Sequence, residues 1–148
     1  MVRTGTRPAR RRATTIAEAA TVIALTLLFL FGVYEYGRLV MMRSLVDNAV
    51  REGCRYAIVH TYDKTTADIQ DQVRYYLAGQ AAQLQNLNIQ VYQADSNGAN
   101  VGNWTDAAFG QYIAVQIDGD FRPMLPTLFF LPSSLHLQAR SVMSSEAN

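Results

Sequence analysis

The side chains able to do chemistry are few and far apart. Cys54, the chain's one cysteine, would need a base beside it to act as a nucleophile, and the nearest candidate, His60, lies six residues on. On a helix that spacing leaves the two about 120° apart, on different faces, so Cys54 reads as a small core or interface residue. Serines gather at Ser133, Ser134, Ser141, Ser144 and Ser145, but no strand–turn–helix nucleophile pattern surrounds any of them. Asp118 and Asp120 would share one face of a strand, yet the Gly119 between them favours a turn. His136 falls in a strand and reads as structural or exposed. Trp104 either marks a binding surface or packs under a loop, the commoner fate. Glycines are scattered singly and form no phosphate-binding loop. One cysteine and two histidines support neither a disulfide nor an autonomous zinc site. The inventory implies no catalytic residues, no metal and no cofactor: the chain is not expected to be an enzyme.

Two acids stand out by position instead. Glu18 precedes sixteen uncharged residues, Ala19 to Tyr34, and Glu35 follows them, three residues before Arg38. A carboxylate at membrane depth is costly enough to need a partner or a purpose. The uncharged run alone would be about 24 Å of helix, short of a ~30 Å hydrocarbon core, whereas Thr14 to Tyr36 gives about 34 Å. A cleaved secretory signal would be shorter and end in a small-x-small site. Here the apolar run passes straight into Glu35 and more helix-forming sequence.

Charge gives this segment a direction. Five arginines and no acid precede Glu18, while the remaining eight basic groups face all twelve acids. The +1 net charge is thus a basic tail on an acidic body, which argues against nucleic acid as a partner. Arginines on one flank hold that flank in the cytoplasm. The reading is a basic cytoplasmic leader at 1–13, a transmembrane helix at 14–37 and an exported domain at 38–148, in a single-pass inner-membrane protein with its C-terminal domain periplasmic.

The exported part begins as helix. Leu39, Met42, Val46, Ala49, Gly53, Tyr56 and His60 recur at spacings of three and four, one apolar seam. Arg43, Asp47, Arg51 and Arg55 recur every four residues opposite, the first three spaced for ion pairs. Membrane and exported helices should form one rod from about Thr14 to His60, roughly 70 Å long. The membrane-proximal seam (Leu39, Met42, Val46, Ala49) is expected to meet a partner helix, and Gly53 and Tyr56 to pack on the protein's own sheet. Thr65 or Thr66 then caps a second helix, about 67–84, with Ile69, Val73, Tyr76, Leu77 and Leu84 on its apolar face. Alternation at Leu87, Ile89 and Val91, at Ile113, Val115 and Ile117, and at Leu135, Leu137 and Ala139 marks three strands. Asp95 to Gly102 is turn-rich. Leu128, Phe129, Phe130 and Leu131 sit among three prolines and need cover. The expected class is α+β: a long N-terminal transmembrane helix continuing into an exported helix, a second helix, and a small antiparallel sheet of about three strands.

Residues 10–60 resemble the TadE-like family of the tight-adherence (Flp-type) pilus assembly system. The resemblance is carried by RRRATTIAEAATVIALTLLFLFG from Arg10, FGVYEYGRL from Phe31 and NAVREGCRYA from Asn48, with a further likeness in ARSVMSSE from Ala139. Its motif residues are Glu35, Gly37, Arg38, Arg51, Glu52, Gly53 and Arg55. It implies a membrane-anchored minor pilin or pseudopilin that works among other pilus or secretion subunits and membrane lipid. It also implies a prepilin peptidase cutting between Ala13 and Thr14, and Glu18 meeting a neighbour's new amine. Two positions depart from the pilin pattern: Ala13 stands where the leader should end in glycine, and Ala19 where an aromatic commonly follows the glutamate. The rival reading is an extracytoplasmic binding module tethered by a signal anchor.

Overall fold

The structure is a computed structural model that describes residues 8–124, 126 and 132–146, with side chains from Thr14 onward. It divides into two units, Met1–Gly37 and Arg38–Asn148. Helix α1, Pro8–Val59, contributes to both. Proline at the first helical position costs no hydrogen bond, and none follows to break the run.

In the first unit α1 is largely apolar and, from Thr14 to Phe31, exposed, with Ile16, Ile23, Leu25 and Phe29 among its large uncovered side chains. An all-round apolar helix is stable when lipid or protein covers it. Two of its threonines close on the helix itself. Thr21 Oγ1 donates to the Ala17 carbonyl at 2.9 Å and Thr26 Oγ1 to that of Val22 at 2.8 Å. Hydroxyls satisfied in this way suit a hydrocarbon solvent that offers no partners.

The second unit is an α+β body. It comprises α1 from Arg38, α2 (Thr66–Tyr76), and strands β1 (Leu84–Ala94), β2 (Asn100–Gly102), β3 (Tyr112–Phe121) and β4 (Leu135–Ser144). The sheet has the order β2-β1-β3-β4, antiparallel throughout. Met42, Val46, Ala49, Val50, Cys54 and Ala57 of α1 meet Ile69 and Val73 of α2 over Ile89, Ile113, Val115, Ile117, Phe121 and Ala139 of the sheet. Gly53 makes the helix crossing tight: a Cβ there would sit 2.3 Å from Val73 Cγ2 and 3.7 Å from Val115 Cγ1. Trp104 is fully buried, and its indole N–H donates to Thr66 Oγ1 at 2.9 Å.

The expected class holds, with local corrections. α2 stops at Tyr76, not near 84, because Ala78 and Gly79 take left-handed backbone (φ 50° and 75°). A 3₁₀ turn, Gln80–Gln83, follows, and Leu84 opens β1. Among the described residues the sheet has four strands: a short β2 lies inside the expected loop and pairs with β1 through a bulge in which Val101 is the extra residue opposite Gln93 and Ala94. Gly119 belongs to β3 and not to a turn. It faces the core, where a Cβ would be 3.4 Å from Leu84 Cβ. The expected Arg43–Asp47–Arg51 ion pairs are not formed among the described residues; Glu52 and Arg55 pair on this helix, at 3.9 Å. Leu128, Phe129, Phe130 and Leu131 lie outside the described residues.

Candidate functional site

The residues singled out in the sequence fall in three places. Thr14 and Glu18 lie about one turn apart on the exposed helix of the first unit, the side chain of Ala13 being outside the described residues. In the same unit Glu35 is buried, at 5% exposure, and Gly37 is exposed with open space where a Cβ would be. The rest belong to the α+β body.

There the stripe on α1 is covered by the chain itself. Met42, Val46 and Ala49 are at most 2% exposed in the body's own core, with Leu39 packed against it. This corrects the expectation that the membrane-proximal stripe meets a partner helix. The apolar face of a four-stranded sheet is broad enough to take the whole seam. Arg38 sits over the Phe121 ring, 5.1 Å from its centroid, and donates to Gln83 Oε1 at 3.2 Å. Glu52 and Arg55, joined by their ion pair, flank Tyr56, Val59, His60 and Tyr76 along an open groove between α1 and α2. His60 stacks on Tyr56 with 4.4 Å between centroids and shares its Nδ1 with the Asp63 carboxylate at 3.0 Å.

The thiol is not poised to react. Cys54 is buried and donates to the Ile113 carbonyl at 3.3 Å, and burial pushes its pKa up to about 11. The thiolate, the nucleophilic form, is therefore suppressed at neutral pH.

A polar cluster that the sequence reading did not assemble lies on the sheet face away from the helices. With Gly119 inside the strand, Asp118 and Asp120 share that face and His136 of β4 reaches both. Its Nδ1 is 3.1 Å from Asp120 Oδ1 and its Nε2 3.9 Å from Asp118 Oδ1. Asn86, at φ 53° in the β1 bulge, donates to Asp120 Oδ2 at 2.8 Å, and Gln116 donates to Asp118 Oδ2 at 2.9 Å. The Asn86 hydrogen bond, then the one from His136, holds the Asp120 carboxyl below the usual carboxylate range. Among the described residues no three such side chains converge as a metal site. The signal that was available was strand parity: residues 118, 120 and, across the β3–β4 register, 136 have to face one way.

Among the described residues these features define an α+β body and one N-terminal helix that is long and apolar enough to span a membrane. The family described as TadE-like protein matches residues 13–55, so over that stretch the chain is similar to the family; the match spans the Phe31–Leu39 motif and most of the Asn48–Ala57 one. No curated protein and no solved structure matches the chain.

Proposed function

We propose that this chain is a non-enzymatic, membrane-anchored minor pilin or pseudopilin-like component of a tight-adherence (Flp-type) pilus or a related secretion assembly. The observation that carries the reading is a coincidence of position. The TadE-like match begins at residue 13 and runs through the exposed apolar helix into the first turns of the folded body. The five N-terminal arginines support a cytoplasmic leader with the α+β body outside. In that position the partners are lipid around residues 14–37 and other assembly subunits beyond it. The buried, protonated Cys54 supports a structural role for the body.

Processing belongs to the same reading. A cut before Thr14 leaves a charged amine four residues from Glu18. A neighbour's Glu18 would neutralise that amine in a medium where each charge alone is expensive. Intact-mass measurement of membrane-extracted chain tests it: loss of residues 1–13 in cells with an active prepilin peptidase supports the pilin route. A cell lacking the chain that still assembles normal numbers of surface pili and secretes normally would refute the assembly role. Protease added outside spheroplasts should remove the body beyond Arg38; a fully protected body would reverse the orientation.

A further inference from the structure

The open groove between α1 and α2 gathers hydrogen-bonding groups that the body itself does not use. Tyr56 and Tyr76 are half-buried there, packed against the core and lining the groove. Among the described residues neither phenol hydroxyl has a hydrogen-bond partner, and the Gln72 side-chain amide has none. His60 stacks on Tyr56 and gives Nδ1 to the Asp63 carboxylate, which only accepts, so Nε2 is left over. Arg55 is exposed and meets the Glu52 carboxylate at 3.9 Å, too long for a hydrogen bond, so both keep bonding capacity. Polar groups placed in this way around aromatic rings are the usual lining of a small-molecule site.

The lining restricts what can bind. Both walls are helix, so an extended strand would find no edge to pair with. Val59 is the one aliphatic side chain among the described residues of the lining, too little for a partner helix, which needs apolar anchors on successive turns. Glu52 and Arg55 stand together with opposite sign, so the groove selects neither an anion nor a cation. What remains is a neutral molecule with apolar faces and hydroxyls around its edge. A pyranose ring has that form. Its C–H faces lie against aromatic rings. Its hydroxyls, donor and acceptor at once, meet phenol, amide, imidazole, carboxylate and guanidinium alike.

We propose that the α1–α2 groove binds a neutral glycan, a chain of hexose or N-acetylhexosamine units. The Tyr56 and Tyr76 rings form the stacking platform, and Gln72, His60, Glu52 and Arg55 hold the hydroxyls. An open groove takes one or two units of a chain and leaves the rest outside. Binding at a single site is therefore weak, and copies held side by side in an assembly would strengthen it by avidity. The site lies wholly within the Arg38–Asn148 unit. It goes beyond the assembly role and does not depend on it, so its failure would leave that reading standing.

The test uses the full-length chain in lipid nanodiscs free of sugar-based detergent. Chitotriose and maltotriose are the neutral probes and trigalacturonate the charged one. Saturation-transfer NMR should show contact with at least one neutral trisaccharide at about 1–10 mM and none with trigalacturonate. Tyr76→Phe, Gln72→Ala and Arg55→Ala should each weaken binding about 3- to 10-fold, the loss of one hydrogen bond. Gln138→Ala, in the separate groove over the sheet, should leave it unchanged, with Trp104 fluorescence native throughout. A diazirine-bearing form of the bound trisaccharide should label residues 52–60 or 72–76, read by peptide mass, and this label decides for any variant that disturbs the fold. Failure of both neutral trisaccharides to bind, equal binding of trigalacturonate, a label elsewhere on the body, or full affinity in all three groove variants would overturn the site.

Discussion

Gly53→Ala should destabilise the body, although the same change in an ordinary helix stabilises it. At a helix interior, glycine to alanine gains about 0.8–1 kcal/mol from backbone entropy alone. Here the new Cβ would fall 2.3 Å from Val73 Cγ2, well inside contact distance. Val73 is fully buried on α2 and β-branched, so its χ1 cannot swing aside cheaply. Val115 Cγ1, at 3.7 Å, stands on the sheet side of the same site. Overpacking of this kind costs about 1–3 kcal/mol, leaving a net loss of about 0–2 kcal/mol. Gly37→Ala is the control, since nothing lies within 4 Å of a Cβ there. Urea unfolding followed by Trp104, the chain's one tryptophan and fully buried, reads the body specifically. A double-mutant cycle with Val73→Ala isolates the clash: the pair should lose about 1–3 kcal/mol less than the two single losses added together. A Gly53→Ala chain more stable than its parent, with no coupling to Val73, would refute the reasoning.

Thr65→Ala removes the side chain that accepts from Asp68 N and donates to Asp68 Oδ2, and leaves the backbone half of the capping box, Thr65 N–H to Asp68 Oδ2. It should cost about 1 kcal/mol by urea unfolding, and the Asp68 carboxyl, held down first by the Thr65 backbone N–H and then by the Thr65 hydroxyl, should titrate higher by NMR when the hydroxyl is lost. Cys54 should resist maleimide in the folded chain and react completely in urea, read by mass; fast native labelling would contradict its burial and raised pKa. Asn86→Ala should raise the titration midpoint of Asp120. A depressed folded pKa adds stability above the unfolded carboxylate value and loses it as pH falls through the folded value. The variant's acid sensitivity should therefore weaken, and an unmoved NMR midpoint would remove Asn86 as the cause.

Periodicity made the seam of α1 legible, because seven positions at one helical spacing leave little freedom. The same spacing could not say what covers the seam. Met42 reads alike whether it faces a partner helix or the protein's own sheet, and only the width of the assembled sheet decides. Leu84 was assigned to α2 because it continues that helix's apolar face. The signal against it was Gly79, but the neighbouring left-handed residue is an alanine, which carries no such mark. Asp118 and Asp120 were hidden by a glycine that reads as a turn residue and serves instead to bring β3 under Leu84. The Asn86 contribution depends on a bulge and a positive φ, neither visible as spacing. The segment similar to the TadE-like family is the most legible part, since glutamate, glycine and arginine stand there at fixed offsets that composition does not require.

The position of β4 has a consequence for how such a chain is made. The helix that enters the body at Arg38 is among its first parts to be synthesised, and the strand lying along it ends at Ser144, among the last. Val46 and Ala139 line one groove, and the Cys54 thiol reaches Ile113 across 59 residues. Contacts of such separation close late, after the entropy of a long loop has been met. If the body is exported as proposed, the apolar stripe from Met42 to Ala57 emerges long before its cover. A chain stopped before Leu135 would hold that stripe open at the membrane surface, a ready signal for quality-control proteases to separate finished subunits from unfinished ones.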